Sequence, residues 1–175
     1  MFAKQTIGKL LVGAGVVFVL SCGLSNQATA TDTTSNLAVS SQVQSGCTVT
    51  ATGLSFSVYD PLSVIPLNAT ATVVVSCTQG TGFTVALDKG TSPEASVDAR
   101  EMTGGTSGDV MSYDIFRDAA RTEPWGDGTA GTFTVAGTGA GLGTGINLIA
   151  YGDVPALQNI SADTYTDTVL VTVTF

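Results

Sequence analysis

The stretch from 37 to 77, LAVSSQVQSGCTVTATGLSFSVYDPLSVIPLNATATVVVSC, limits the possible folds more than any other part of the chain. Two of its segments alternate apolar and small polar residues; one begins at Cys47 and the other ends at Cys77. Alternation with a period of two marks a strand with one buried face. Outside the N-terminal leader these are the only cysteines, so each is the other's natural partner, and the pair is expected to staple the first two strands of a β-sandwich. The loop closed in this way, 77 − 47 = 30 residues, is worth roughly 3–4 kcal/mol in the chain-entropy account of disulfides. A further alternating segment, Leu37, Val39 and Val43, precedes Cys47 and has no obvious place in the stapled body.

The chain begins like a bacterial secretory signal. Lys4 and Lys9 supply a positive first region, Leu10 to Leu20 an apolar run, and Ala28-Thr29-Ala30 a small-x-small cleavage site. The run is short for a membrane span, which needs about 20 residues. Val19-Leu20-Ser21-Cys22 loosely resembles a lipoprotein box, but leucine fits poorly two positions before the cysteine. Cleavage after Ala30 removes Cys22 and leaves 175 − 30 = 145 residues with two cysteines, which in an exported protein read as a disulfide. The expected organisation is a signal over 1–30, an N-terminal extension over 31–46, and one β-sandwich domain over 47–175.

Without Lys4 and Lys9 the chain keeps four basic residues (Lys89, Arg100, Arg117, Arg121) against 14 acidic ones, a formal charge of 4 − 14 = −10. That balance argues against nucleic acid and against an anionic membrane surface, and suits an exported protein kept soluble by its acidity.

Gly, Thr, Ser, Val and Ala dominate, a composition of strands and turns. Strands are expected over 70–77, 83–87, 111–117, 132–136 and 146–151. A long loop is expected over 90–109, a turn at Trp125-Gly126-Asp127-Gly128, and a flexible loop over Gly137 to Gly145. The cleanest strand pattern is Tyr165 to Phe175, with Val169, Val171, Val173 and Phe175 on one face. Nothing in it blunts an exposed edge, neither charge nor proline, and such an edge templates pairing with another strand. The spare segment at 37–43 and this edge are complementary. The segment could complete the sheet of a neighbouring molecule by β-strand addition, or pair within its own chain, and pattern alone leaves both open.

Catalysis finds little support. The chain has no histidine, which removes the usual general base and the commonest zinc ligand. Its carboxylates sit in turn sequences such as Asp60-Pro61, Asp88-Lys89-Gly90 and Asp127-Gly128, where they usually serve the backbone. GTGAGLGTG over 137–145 misses the phosphate-loop spacing, and Gly126-Asp127-Gly128-Thr129 lacks further acidic ligands for calcium. Phe56, Tyr59, Tyr113, Phe116 and Trp125 could line a sugar site but serve better as core in a chain with few large residues. No catalytic, cofactor or metal site is expected.

Several stretches together resemble the spore coat protein U domain family, which includes the pilin subunits of archaic chaperone–usher pili. They are Val43-Gln44-Ser45-Gly46-Cys47-Thr48-Val49, Leu54-Ser55-Phe56 with Tyr59-Asp60-Pro61, and Val73-Val74-Val75-Ser76-Cys77-Thr78. Phe83 to Gly90, Ser112 to Phe116, Trp125 to Gly128, Ile149 to Gly152 and Thr164 to Val169 follow in order. Asp163 departs from the pattern, where glycine is expected. The resemblance implies an incomplete immunoglobulin-like antiparallel sandwich lacking its last strand and completed by donor-strand complementation. Leu37, Val39, Ser41 and Val43 would be the donor strand, with Ser41 a weak point in the row. Val169, Val171, Val173 and Phe175 would edge the acceptor groove. Implied partners are copies of the chain or related pilins, a periplasmic chaperone, an outer-membrane usher, and a host or abiotic surface. The implied location is the cell surface, reached through the periplasm. A secreted coat or matrix protein, and a self-complemented carbohydrate-binding module, are the alternatives.

Overall fold

The alternation in 67–77 becomes a strand whose even-odd pattern sorts its faces: Ala71, Val73, Val75 and Cys77 are buried, while the residues between them remain half-exposed. The structure is a computed structural model that describes residues 29–175; residues 1–28, with Cys22 and most of the expected signal over 1–30, lie outside the described residues. The chain separates into two units at Ser41/Gln42. Residues 29–41 of the first carry no regular secondary structure.

The second unit is all-β, and no helix occurs among the described residues. Its strands are β1 (Cys47–Ala51), β2 (Leu67–Cys77), β3 (Gly82–Leu87), β4 (Arg100–Gly104), β5 (Val110–Phe116), β6 (Val135–Thr138), β7 (Ile146–Val154), β8 (Tyr165–Thr166) and β9 (Val171–Thr174). They form a larger sheet in the order β1-β2-β7-β5-β4-β8 and a smaller one in the order β6-β3-β9, with every pairing antiparallel. Cys47 lies directly opposite Cys77 in the β1–β2 register, and the two are disulfide-bonded with their Cα atoms 4.1 Å apart.

Between the sheets lie Val73 and Val75 of β2, Val85 and Leu87 of β3, Tyr113 and Ile115 of β5, and Ala150 and Val154 of β7. Trp125 fills the centre at 0% exposure, and its indole N–H donates to the Val85 carbonyl at 3.1 Å. Beside it Arg100, also 0% exposed, donates from Nε to the Asp88 carbonyl (2.9 Å) and from Nη2 to the Trp125 carbonyl (2.8 Å). Its Nη1 faces the Asp114 carboxylate at 3.7 Å. Burial of a guanidinium is costly unless its donors find acceptors; the Asp88 and Trp125 carbonyls take Nε and Nη2, while Nη1 makes no hydrogen bond and has only the longer ion pair with Asp114.

Four expectations are corrected. The span 90–109 is not one long loop, because β4 (Arg100–Gly104) pairs with both β5 and β8. Its residues, REMTG, have no apolar alternation; Arg100 turns inward on hydrogen bonds rather than on hydrophobicity. Trp125 and Gly126 belong to the packed body rather than to a turn, since the Trp125 N–H donates to Ile115 O at 2.7 Å and Gly126 N–H to Phe133 O at 2.9 Å. β6 starts at Val135, and pairing with Gly82 and Phe83 draws Thr138 and Gly137 out of the glycine-rich stretch into the sheet. Finally, Tyr165 to Phe175 is not one strand. β8 joins β4 in the larger sheet, β9 joins β3 in the smaller, and residues 167–170 cross between them.

Candidate functional site

The sandwich is open along one side. A groove of about 1110 Å³ runs over the inner face of the larger sheet, floored by Ala71, Val73, Ile115, Ala150 and Val154. One wall is the extended stretch after β1, residues 52–59; the other is the crossover from β8 to β9, where Val169 and Val171 line the groove. The strands that bound it, β1 in the larger sheet and β9 in the smaller, are both edge strands.

The first wall is built by side chains rather than by a ladder. Thr52 N–H donates to Thr72 O at 2.9 Å, but the backbone N–H and C=O groups of residues 53–58 take no hydrogen-bond partner among the described residues. Leu54 and Phe56 hold this stretch down by resting on Gly152 of β7. A Cβ there would come within 2.7 Å of the Phe56 ring and 2.9 Å of Leu54, so only glycine admits them. Phe56 meets Tyr113 edge-on with ring centroids 6.3 Å apart. At the end of the wall the Tyr59 hydroxyl donates to Pro155 O (2.9 Å) and accepts from Gln158 N–H (2.7 Å). Val58 in this wall is 93% exposed, and Leu62, Val64 and Ile65 in the loop after it are exposed as well.

The second wall depends on two aspartates. Asp88 Oδ1 accepts from Gly90 N–H (3.0 Å) and Leu170 N–H (2.8 Å), while Asp88 N–H donates to Leu170 O (3.1 Å). Asp167 Oδ1 accepts from the N–H and hydroxyl of Thr91 and from Thr168 N–H, each at 2.7 Å. Asp167 Oδ2 accepts from the Tyr113 hydroxyl at 2.6 Å. Burial alone would raise the Asp167 carboxyl, but the hydrogen bonds from Tyr113, Thr91 and Thr168 outweigh it and hold the group below the usual carboxylate range. Burial, with the bonded Asp167 carboxylate, pushes the Tyr113 hydroxyl well up, so it stays a donor. Asp163, where the family pattern expects glycine, accepts from Thr106 N–H (2.8 Å), Ser107 N–H (2.7 Å) and Thr164 N–H (2.7 Å), tying the β4–β5 turn to the groove's end. Those backbone donors depress its carboxyl strongly.

Of the residues singled out from sequence, Cys47 and Cys77 are joined, and Val169 and Val171 stand in the groove wall. Val173 packs half-buried against the core outside the lining, and Phe175 is 56% exposed. Leu37, Val39, Ser41 and Val43 are exposed, the three apolar ones at 84–88%. Asp88 is expected to serve a turn, and its Oδ1 does accept from Gly90 N–H; its hold on Leu170, the wall formed by 52–59 and the work of the Asp167 carboxylate escaped the sequence reading. One signal for Asp167 was present: an aspartate amid β-branched residues is a poor strand former. The turn carboxylates serve the backbone, with Asp60 Oδ1 capping Leu62 N–H and Asp127 Oδ1 capping Thr129 N–H, each at 2.9 Å. No group of three or more potential metal ligands occurs among the described residues.

Comparison with known proteins gives the same picture. The Spore Coat Protein U domain matches residues 33–172. Protein U of Myxococcus xanthus is 32% identical over 178 residues, covering 93% of this chain and 96% of the relative. Among solved structures, the chaperone–tip adhesion subunit pre-assembly complex CsuC–CsuE, from archaic chaperone-usher Csu pili of Acinetobacter baumannii, contains a similar chain. The TM-score is 0.54 and the identity 26%, over 76% of this chain and 40% of that one, so this chain spans well under half of its neighbour's length. The fold is thus an incomplete immunoglobulin-like sandwich similar to a pilus subunit, and the protein is structural rather than enzymatic. With four-fifths of its length matched by the domain, the chain belongs to the Spore Coat Protein U domain family.

Proposed function

We propose that this protein is a structural subunit of a surface pilus, polymerised by donor-strand exchange and supporting adhesion and biofilm formation. The observation that carries this reading is the apolar groove of about 1110 Å³ between two walls that lack a strand between them. Its occupant is residues 37–43 of a second copy or of a related pilin, which present Leu37, Val39 and Val43 to solvent around the weaker Ser41. Burying each of these side chains is worth roughly 1.5–3 kcal/mol, and a strand seated between the walls also gives the unpaired backbone of 53–58 a partner. The similarity to a chain of a chaperone–subunit complex supports a periplasmic chaperone as the groove's first occupant and an outer-membrane usher as the site of exchange. The route is export through the periplasm to the cell surface.

A second reading keeps the groove and makes the polymer a secreted coat; the near full-length likeness to Protein U favours it. Val39→Lys separates intermolecular from internal pairing of residues 37–43. A subunit of this kind loses polymerisation and keeps its unfolding midpoint when chaperone-bound. A self-complemented module stays monomeric and loses stability instead.

A further inference from the structure

The run Tyr165 to Phe175 has the composition of one uninterrupted strand, yet it breaks at 167–170 and passes from one sheet to the other. Hydrophobic pattern does not explain the break, since odd-numbered residues stay half-buried from 165 to 173 on both sides of it. The explanation lies in what the Asp167 carboxylate does. It takes four hydrogen bonds, from Thr91 N–H, the Thr91 hydroxyl, Thr168 N–H and the Tyr113 hydroxyl. Two of these donors lie on the loop after β3 and one on β5, so a single side chain ties the crossover to both sheets.

The surroundings are shaped to receive that carboxylate. Gly90 has φ +86°, and a Cβ on it would collide with the Asp167 carboxylate, so the position needs glycine for conformation and for room. Tyr113 is 5% exposed and aims its hydroxyl at Asp167 from the core. Hydrogen bonds to an ionised acceptor are stronger than neutral ones. Both Tyr113 and Asp167 line the groove, as do Val169 and Val171 beyond them. The Val169 N–H takes no partner among the described residues and is free for an incoming strand.

We propose that Asp167 is a positioning residue for strand acceptance, and that with Tyr113 and Thr91 it forms a latch holding the β8–β9 crossover apart from the 52–59 wall. The inference rests on the donor-strand reading and adds to it the group that keeps the groove in its receiving shape before a donor arrives. Without the latch, 165–174 is free to run on as one strand, and the wall loses the fixed spacing a donor ladder requires. A latch that keeps the receiving shape populated acts on association, because only the fraction of molecules in that shape is competent to bind.

The test uses the full exported chain from periplasmic extracts, oxidised and carrying Val39→Lys so that its own segment does not compete. The probe is a fluorescein-labelled peptide of sequence NLAVSSQVQS, residues 36–45. Association and dissociation rates are read by anisotropy alongside urea midpoints. Asp167→Ala and Tyr113→Phe are expected to slow association by about tenfold or more, the scale of one hydrogen bond to a charged group, with dissociation changed by no more than about twofold. Thr91→Ala, which removes one exposed hydroxyl, slows it less and provides a variant that folds if the others do not. Asp127→Asn, in a turn outside the groove lining, leaves the rate unchanged. Latch variants that remain folded and bind at the parent rate overturn the proposal while leaving donor-strand exchange intact. A parent protein that never binds the peptide overturns both, and does so before any variant is measured.

Discussion

The seam around Trp125 and the groove belong to one sandwich but treat polar groups and apolar side chains in opposite ways. At the seam the largest side chains are fully buried, and even a guanidinium finds acceptors in the carbonyls of Asp88 and Trp125. At the groove, residues 53–58 leave their backbone unpaired among the described residues, and Val58 faces solvent. A loosely packed protein would show open packing throughout. Here it is confined to one side, between two walls each held by dedicated contacts: Leu54 and Phe56 on Gly152, and Asp88 and Asp167 on the crossover. Openness is therefore a built feature of one side of the sandwich.

The contrast can be broken from either side. Arg100→Ala carries the largest expected effect. It leaves Asp114 without its buried partner and should cost about 3–5 kcal/mol in urea unfolding, while any folded fraction still polymerises. Gly152→Val attacks the other region. Overpacking under Leu54 and Phe56 should cost about 1–3 kcal/mol and slow polymerisation out of proportion to that loss, because the displaced wall is part of the site. A variant pair in which Arg100→Ala blocked assembly of folded protein and Gly152→Val did not would reverse the assignment of the two regions.

The smallest effect is a pH slope. Burial raises the Asp114 carboxyl to about 6, above its ordinary value of 3.8 and against the pull of Arg100. A carboxyl raised on folding contributes stability that is fully present below the ordinary value and lost as pH rises through the folded one. Asp163 and Asp167, both lowered, contribute the opposite way, with stability present above the ordinary value and lost only as pH falls below it. Between about pH 4 and 6 the Asp114 slope therefore stands alone among these three, and unfolding midpoints should fall as pH rises through it. Asp114→Asn should flatten that slope and leave the acid limb in place.

What was legible in the sequence follows the same division. The staple and the long strands were plain, because β2 and β7 bury one face and solvate the other, and period-two patterning reports that directly. β4 was hidden because its inward residue is Arg100, whose burial depends on carbonyls distant in sequence. The break at 167–170 was hidden because nothing in Thr164-Tyr165-Thr166-Asp167 says that Thr91 and Tyr113 will converge on that carboxylate. The 52–59 wall was hidden for another reason: it has neither strand pairing nor a helical period, and what it lines is a gap. The exposed alternation of Leu37, Val39 and Val43 was visible, since an apolar row with no place in the body needs no partner to be noticed.

The central claim is that a strand from another copy fills the groove. Its most direct test is a gel of material sheared from the surface of expressing cells, run in SDS without heating beside the same sample boiled. The account predicts a ladder in the unheated lane that collapses to one monomer band on boiling, the behaviour of non-covalent polymers locked by buried strands. A lone monomer in both lanes, from cells that also express the chaperone and usher, would contradict it.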